Sequence, residues 1–247
     1  MTIIDANIET LLYEPNKRAG YSFKKLASKI IRTDNNDPLV DQTEIEASGL
    51  ICKPFWNTIG DLEGDCYVNY IKDNPHFSLC VRFTVLNKLI EAQKLLPPNW
   101  KLVLKAGYRP LTVQYLILKK LVETTKLANP DWSGDAINNH VKKYISDPKL
   151  VCPPHSTGGA VDIDILDISK IIMIDMGCPP NTDSKIAYIF YDKLTKTQKD
   201  NRLIVLNAML KAGFAPLASE WWHFQYGETY WAAFYGHPIT KYDTIKL

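Results

Sequence analysis

Two of the five histidines of this 247-residue chain stand in surroundings typical of a metal site. His155 lies in the segment Pro153–Asp162 (PPHSTGGAVD), where two prolines and two glycines precede an alternating apolar segment. Asp162 lies on this predicted strand, and its neighbours Val161 and Ile163 point to the other face. Because an acidic side chain among apolar residues is costly unless it is paired or bound to a metal, His155 and Asp162 are candidate ligands.

The second segment whose side chains could take part in catalysis is Ser219–Phe224 (SEWWHF), which contains Glu220 and His223. On an extended strand these two side chains point to opposite faces. They can serve one site only if the chain bends near Ser219 and Glu220. The two adjacent tryptophans would form a dry wall there, which strengthens electrostatic interactions and raises the pKa of a carboxylate.

Two histidines and one carboxylate are a known catalytic zinc set, in which the fourth position is left to water. Such a metal lowers the pKa of water and polarises a carbonyl group. A carboxylate beside the metal that is not a ligand can take up the proton and pass it to the leaving amine. His155, Asp162 and His223 are the candidate ligands, and Glu220 is the candidate general base.

The third segment is Gly107–Pro110 (GYRP), at the junction of a predicted strand and a predicted helix. Arg109, fixed at such a junction, can direct its guanidinium at an oxyanion or a substrate carboxylate. Each candidate also has a structural interpretation: a loop histidine, a turn-capping aspartate, a surface Glu–His pair or a structural arginine. Residue spacing alone leaves the two interpretations about equal.

The elements that must position these side chains show both helical and strand periodicity. Helices are predicted over 79–96, 111–127, 136–145 and 199–212, and strands over 101–106, 160–166, 214–217 and 221–226, with 171–176 pairing with 160–166. Because strands and helices do not alternate regularly, we predict a compact α+β domain with a central, mainly antiparallel sheet flanked by helices.

The N-terminal part of the sequence shows no chemistry. Residues 21–31 are compatible with an amphipathic helix, and residues 33–38 (TDNNDP) resemble a linker rich in turn formers. We therefore predict an N-terminal extension over residues 1–48 and a catalytic domain over residues 49–247.

Composition excludes several classes of function and partner. A net charge of +2 with scattered basic residues gives no basis for binding nucleic acid or an anionic membrane. No stretch approaches the ~20 apolar residues of a membrane span, and we expect no secretory signal. Five cysteines, an odd number without CxxC spacing, predict neither disulfides nor a cysteine zinc site, so a cytoplasmic location is expected. Nothing in the sequence fixes the oligomeric state.

Together, GYRP at 107–110, HSTGGAVD at 155–162 and EWWHF at 220–224 carry a resemblance to a known family. The sequence from about residue 65 onward resembles the D-alanyl-D-alanine dipeptidases, zinc peptidases associated with vancomycin resistance and cell-wall recycling. The EWWH form resembles the dipeptidase branch, whereas the related carboxypeptidases tend to have proline after the glutamate.

This resemblance implies roles for individual residues. It implies one Zn²⁺ held by His155, Asp162 and His223, with Glu220 as general base and acid. Arg109 would stabilise the tetrahedral oxyanion. The implied fold is a compact α+β domain with a central antiparallel sheet, in agreement with the pattern of elements.

The sequence departs from the family pattern where the substrate is held. Tyr67 resembles a substrate-pocket tyrosine, but the segment after it is shorter and lacks the usual Asn-Phe-Thr-Gly. Pro153 replaces a serine two residues before the first histidine ligand. Asn181 stands where the family has an aspartate that binds the free amine of the substrate, and Asp183 follows two residues later.

The expected function is hydrolysis of a small D,D-peptide, with the D-alanyl-D-alanine dipeptide as the first candidate. The neutral side chain of Asn181 keeps a second enzyme open, a D,D-carboxypeptidase that trims peptidoglycan stem peptides. A third alternative is a non-catalytic zinc-binding module, because the same ligand set can stabilise a recognition domain.

Overall fold

The computed structural model describes residues 29–55, 62–75, 77–141, 152–182 and 184–245. Within these residues the chain forms seven α-helices and eight strands. The strands are β1 (Leu39–Val40), β2 (Ile51–Cys52), β3 (Val81–Arg82), β4 (Trp100–Ala106), β5 (Ala160–Asp167), β6 (Ile172–Met173), β7 (Ala215–Leu217) and β8 (Glu220–Gln225). The helices are α1 (Gln42–Ala47), α2 (Leu62–Asp73), α3 (Phe83–Lys94), α4 (Leu111–Ala128), α5 (Gly134–Val141), α6 (Lys196–Lys211) and α7 (Thr229–Tyr235).

The main sheet has the strand order β2-β4-β5-β8-β7, and β6 pairs with the far end of β5. Strands β2 and β4 are parallel, whereas the other pairs are antiparallel. A separate two-stranded sheet joins β1 to β3. The predicted α+β class is confirmed, with a sheet that is mixed because of its one parallel pair.

Alternation along β5 separates the core from the polar face. Val161, Ile163 and Ile165 are fully buried and belong to the main hydrophobic core. Apolar residues of α3 and α6 belong to the same core, so these helices cover that face of the sheet. Asp162 consequently lies on the opposite face, as its position in the alternating pattern predicts.

A second, smaller core lies between α2, α4 and α5. Tyr67 of α2 is fully buried there, and its ring stacks on Phe77 with centroids 5.8 Å apart. Val113 and Ile117 supply the contribution of α4, and Ile137 that of α5. This core places the start of α4, and therefore the preceding Arg109, at the end of β4.

The helix predicted over 79–96 begins only at Phe83. Val81 and Arg82 are extended because they pair with Leu39 and Val40 of β1. The apolar spacing is compatible with helix in this stretch, but pairing with a distant strand overrides it. The helices and strands predicted from residue 101 onward agree with the structure to within a few residues, although 142–145 lie outside the described residues. Of the helix predicted over 21–31, residues 21–28 lie outside the described residues, and residues 29–31 form a turn and a β-bridge to Ile239 instead of helix.

Residues 29–48 contact the rest of the described chain. Helix α1 begins with a capping box between Asp41 and Glu44, and Ile45 is fully buried in the main core. The domain boundary at residue 48 stays a prediction. In the described part of the chain, no helix is both long and apolar enough to cross a bilayer.

Candidate metal centre

The side chains of His155, Asp162 and His223 converge on one buried point. His155 Nε2 lies 3.2 Å from Asp162 Oδ2, and His223 Nδ1 lies 2.9 Å from Asp162 Oδ1. The candidate ligand atoms all lie within 4.8 Å of one another. The structure thus brings together the three ligands that the sequence predicts.

Main-chain pairing places two of these ligands. Asp162 on β5 and His223 on β8 are direct cross-strand partners, so their side chains share one face of the sheet. His155 lies in a short 3₁₀ turn, Pro154–Thr157, that precedes β5. Gly158 ends the turn at φ +73°, a conformation that favours glycine.

The orientation of His155 is fixed from its far side. Its Nδ1 lies 2.8 Å from the main-chain oxygen of Gly107. A carbonyl oxygen only accepts hydrogen bonds, so Nδ1 carries the proton and donates it to this oxygen. This hydrogen bond holds the proton on Nδ1 when a metal takes the place of any proton on Nε2, which is the nitrogen that faces Asp162.

The distances within the site fit a small divalent cation. Ligand atoms about 2.0–2.1 Å from a tetrahedral ion are separated from one another by roughly 3.3 Å. The histidine nitrogens lie 3.2 Å from Asp162 Oδ2 and 2.9 Å from Asp162 Oδ1, and with one atom taken from each residue the three candidate ligand atoms lie within 4.8 Å of one another, so a small shift of the side chains would give this spacing. Two nitrogen donors and one carboxylate match the ligand preferences of zinc, although other transition metals accept the same set.

The electrostatics of the three side chains are strongly coupled. Burial raises the pKa of Asp162, but the charge and hydrogen bonds of both histidines outweigh it and hold the pKa below its ordinary range. For His223, burial lowers the pKa, and the hydrogen bond and charge of Asp162 together with the charge of Glu220 raise it above its ordinary value. The site therefore attracts a cation, either protons or a metal.

Metal affinity is expected to fall on acidification. The raised pKa of His223 means that a proton occupies the ring below that pKa, and a metal must displace this proton to bind. Affinity should fall by up to about tenfold per pH unit below the pKa and level off above it. Chelator competition between about pH 8.5 and 5.5 would test this. A dissociation constant that does not change over this range would contradict the assignment of His223 as a ligand.

Glu220 is the first residue of β8 and is partly exposed. The pairing of β7 with β8 is interrupted here, because Pro216 is opposite Phe224 whereas Leu217 is opposite Glu220. Such an irregularity bends a strand and re-aims its side chains. The irregularity spans residues 221–223 of β8, directly after the position where the sequence predicts a bend. The Glu220 charge acts on His223.

Arg109 is buried beside the turn that contains His155. Its main-chain N–H donates to the His155 oxygen at 3.0 Å, and its Nη1 donates to Gln114 Oε1 at 3.0 Å. The guanidinium is thus held by α4, directly after the GYRP segment. This agrees with the predicted placement of Arg109 at a strand–helix junction.

The predicted substrate-binding residues lie in different places. Tyr67 is part of the smaller core, and Asn181 lies at φ +66° in the turn after Pro179–Pro180. Buried Arg202 holds the chain before and after this turn, because it donates to the oxygens of Met176 and Tyr188. Asp183 lies outside the described residues, and the substrate-binding roles of all three stay predictions.

Sequence patterns did not reveal the residues whose hydrogen bonds orient His155 and its turn. In the sequence Gly107 stands out only as part of GYRP, whereas its role as acceptor for His155 depends on its main-chain oxygen. Arg82 donates to the turn that contains His155, but in sequence it resembles any arginine at the edge of an amphipathic helix. The tertiary contacts alone identify both.

The sequence matches a family model and two curated relatives. The sequence model of peptidase family M15, described as D-ala-D-ala dipeptidase, matches residues 74–243, more than half of the chain. A D-alanyl-D-alanine dipeptidase from Synechocystis sp. is 28% identical over 191 residues, covering 64% of this chain and 74% of that protein. A D-alanyl-D-alanine dipeptidase from Escherichia coli is 31% identical over 71 residues, or 29% of this chain and 36% of that protein.

The fold and the site, taken with these matches, define a peptidase. The chain belongs to the D-ala-D-ala dipeptidase family, M15.

Proposed function

We propose that this protein hydrolyses the D-alanyl-D-alanine dipeptide to D-alanine, with one zinc ion held by His155, Asp162 and His223. The observation that carries the proposal is the convergence of these three buried ligand atoms in a chain of the dipeptidase family. All five cysteines carry free thiols, which supports a reducing, cytoplasmic location.

When bound, the metal would supply a Lewis acid that lowers the pKa of water and polarises the scissile carbonyl. Glu220 would accept the proton of the attacking water and deliver it to the leaving amine, as a general base and then a general acid. The raising effect of the Glu220 charge on the pKa of His223 supports this role, since His223 is one of the candidate ligands.

Arg109 would donate hydrogen bonds to the oxyanion that develops on the substrate carbonyl. A guanidinium that is already oriented stabilises such charge without reorganising during the reaction. The hydrogen bonds from Arg109 to Gln114 and to His155 support the role, since they fix the arginine relative to the ligands before the substrate binds.

The recognition of the two substrate ends involves residues that differ from the family pattern. Tyr67, Asn181 and Asp183 are our candidates for substrate binding. Asn181 offers an amide oxygen to the substrate amine, which is a weaker interaction than the charge pair an aspartate would form. Asp183 is the candidate for supplying that negative charge.

The neutral side chain of Asn181 favours a second candidate function. A site without a charged partner for a free amine discriminates less strongly against substrates in which that amine is part of a longer peptide. A D,D-carboxypeptidase that trims peptidoglycan stem peptides would have this property. The same metal ligands, Glu220 and Arg109 would perform the chemistry.

A side-by-side assay tests the two functions. Zinc-loaded protein would be incubated with D-alanyl-D-alanine and with a stem pentapeptide ending in the same pair, with L-alanyl-L-alanine as the control. We expect cleavage of the D,D-dipeptide and none of the L,L-dipeptide. Cleavage of the pentapeptide alone would replace the proposal by the carboxypeptidase. Bound zinc without cleavage of either substrate would indicate the non-catalytic zinc-binding module.

A further inference from the structure

We propose that Arg82 is a positioning residue for the metal centre, and that Asp34 and Asp37 hold Arg82 in place. The segment before residue 48 would then help to shape the metal site. This inference rests on the proposed metal site, although not on the identity of the peptide substrate.

Arg82 contacts the turn that contains His155 at two points. Its Nε donates to the main-chain oxygen of Thr157 at 2.8 Å, and its main-chain N–H donates to the oxygen of Gly158 at 3.0 Å. Thr157 is two residues after His155 in the same 3₁₀ turn. A shift of Arg82 would therefore move the backbone that presents the imidazole.

The other two nitrogens of the guanidinium bind the N-terminal segment. Nη2 lies 2.6 Å from Asp34 Oδ2, and Nη1 donates to the main-chain oxygen of Asp37 at 2.5 Å. Arg82 is only 5% exposed, and a buried cation is costly unless it is paired and hydrogen-bonded. Asp34 supplies the negative charge, while the two carbonyl groups from Thr157 and Asp37 accept the remaining hydrogen bonds.

Asp34 and Asp37 are themselves fixed by the surrounding chain. Asp34 Oδ1 accepts from the main-chain N–H of Asn36 at 2.8 Å. Asp37 Oδ2 accepts from the main-chain N–H of Thr84 at 3.0 Å and from the Tyr242 hydroxyl at 2.8 Å. Residues 34–37 lie within 33–38, the segment predicted as a linker, and they form the acceptor site for Arg82.

The turn that contains His155 packs directly against Arg82 and the N-terminal segment. A Cβ on Gly158 would lie 2.8 Å from Leu39 Cδ2 and 3.3 Å from Arg82 Cγ, so the turn sits directly on β1 and β3. On its opposite side, the turn is held by Gly107 through His155 Nδ1. His155 is therefore fixed from two sides, and Arg82 forms the side that depends on the N-terminal segment.

The test compares metal affinity in Arg82→Met, Arg82→Lys and Asp34→Asn by chelator competition with zinc, without any substrate. Loss of a group that orients a metal ligand typically lowers affinity by about 10–100-fold. We expect this loss in Arg82→Met. Asp34→Asn should show a smaller loss, and Arg82→Lys a partial rescue, because lysine keeps the charge near Asp34 but cannot make all three hydrogen bonds.

Arg32→Met is the matched control, since Arg32 belongs to the same segment but its side chain is 52% exposed and lies 3.5 Å from Asp243. Its zinc affinity should stay within about twofold of the wild type, as expected for an exposed ion pair. Thermal unfolding with and without zinc separates positioning from general support of the fold. A positioning role predicts that zinc raises the melting temperature less in Arg82→Met than in the wild type.

Equal zinc affinity in the wild type, Arg82→Lys and Asp34→Asn would overturn the inference, even if Arg82→Met failed to fold. An equal loss of stability with and without zinc would also overturn it. Wild-type protein that binds no zinc would overturn the proposed metal site and this inference together. Zinc binding by the wild type without peptide hydrolysis would count only against the proposed function.

Discussion

Replacing Glu220 by glutamine is expected to lower kcat by about 10²–10⁴-fold while the protein keeps its metal. Glutamine has nearly the same shape as glutamate but cannot accept the proton of the attacking water. The predicted ligands His155, Asp162 and His223 are unchanged, so metal content should stay the same. Turnover of D-alanyl-D-alanine and metal analysis on the same sample would measure both quantities.

A second measurement separates this role from a general disturbance of the site. The charge of Glu220 contributes to the raised pKa of His223, so its removal should lower the pKa of His223 in the metal-free protein. Glu91→Gln is the matched control, because Glu91 is exposed on α3 and forms an ion pair with Lys88, with Oε2 2.8 Å from Nζ. It should change neither turnover nor metal binding. Full activity in Glu220→Gln would remove Glu220 from the mechanism.

Replacing Gly107 by alanine is expected to destabilise the fold by about 3 kcal/mol and to weaken metal binding as well. A Cβ at this position would lie against the main-chain oxygen of Cys80, well inside van der Waals contact. Backbone cannot move aside as a flexible side chain can, so Gly107 or its neighbours must shift. Because the Gly107 oxygen orients His155, the shift should also reach the metal site.

Gly134→Ala provides the matched control for this substitution. Gly134 is the first residue of α5, and a Cβ there would meet nothing within 4 Å. Alanine is favoured over glycine in helices, so stability should stay the same or rise slightly. Urea unfolding of both variants, with and without zinc, would measure the two effects. If Gly107→Ala were as stable as Gly134→Ala, the close approach to Cys80 would not constrain the protein.

The sequence predicted most of the sheet because its strands carry local signals. Val161 and Ile163 alternate with Asp162, and the same alternation fixes which face is buried in the structure. Turn and helix signals around Pro110 and Gly213 likewise placed the ends of α4 and α6 to within a few residues. Those signals act over a few residues, so they can be read without knowing the fold.

The hydrogen-bond partners that orient His155 and its turn could not be predicted in the same way. The partner of His155 is a main-chain oxygen 48 residues earlier in the sequence, and any residue type can supply such an oxygen. Arg82 contacts Asp34 and Thr157, which are 48 and 75 residues away. These contacts depend on the whole topology. For the same reason, the predicted start of α3 is strand β3 in the structure, because it pairs with β1.

The earliest and latest described segments of the chain contact each other, and the latest also contacts the turn that contains His155. Thr33 and Thr240 exchange hydrogen bonds across 207 positions, and the main-chain N–H of Ile245 donates to the oxygen of Ser156 beside His155. On the ribosome, the turn around His155 lacks these partners until residues 240–245 have emerged. Contacts this distant in sequence carry a high loop-closure cost and slow folding. We therefore expect a metal to be held at the proposed site only after the earliest and latest described segments have joined.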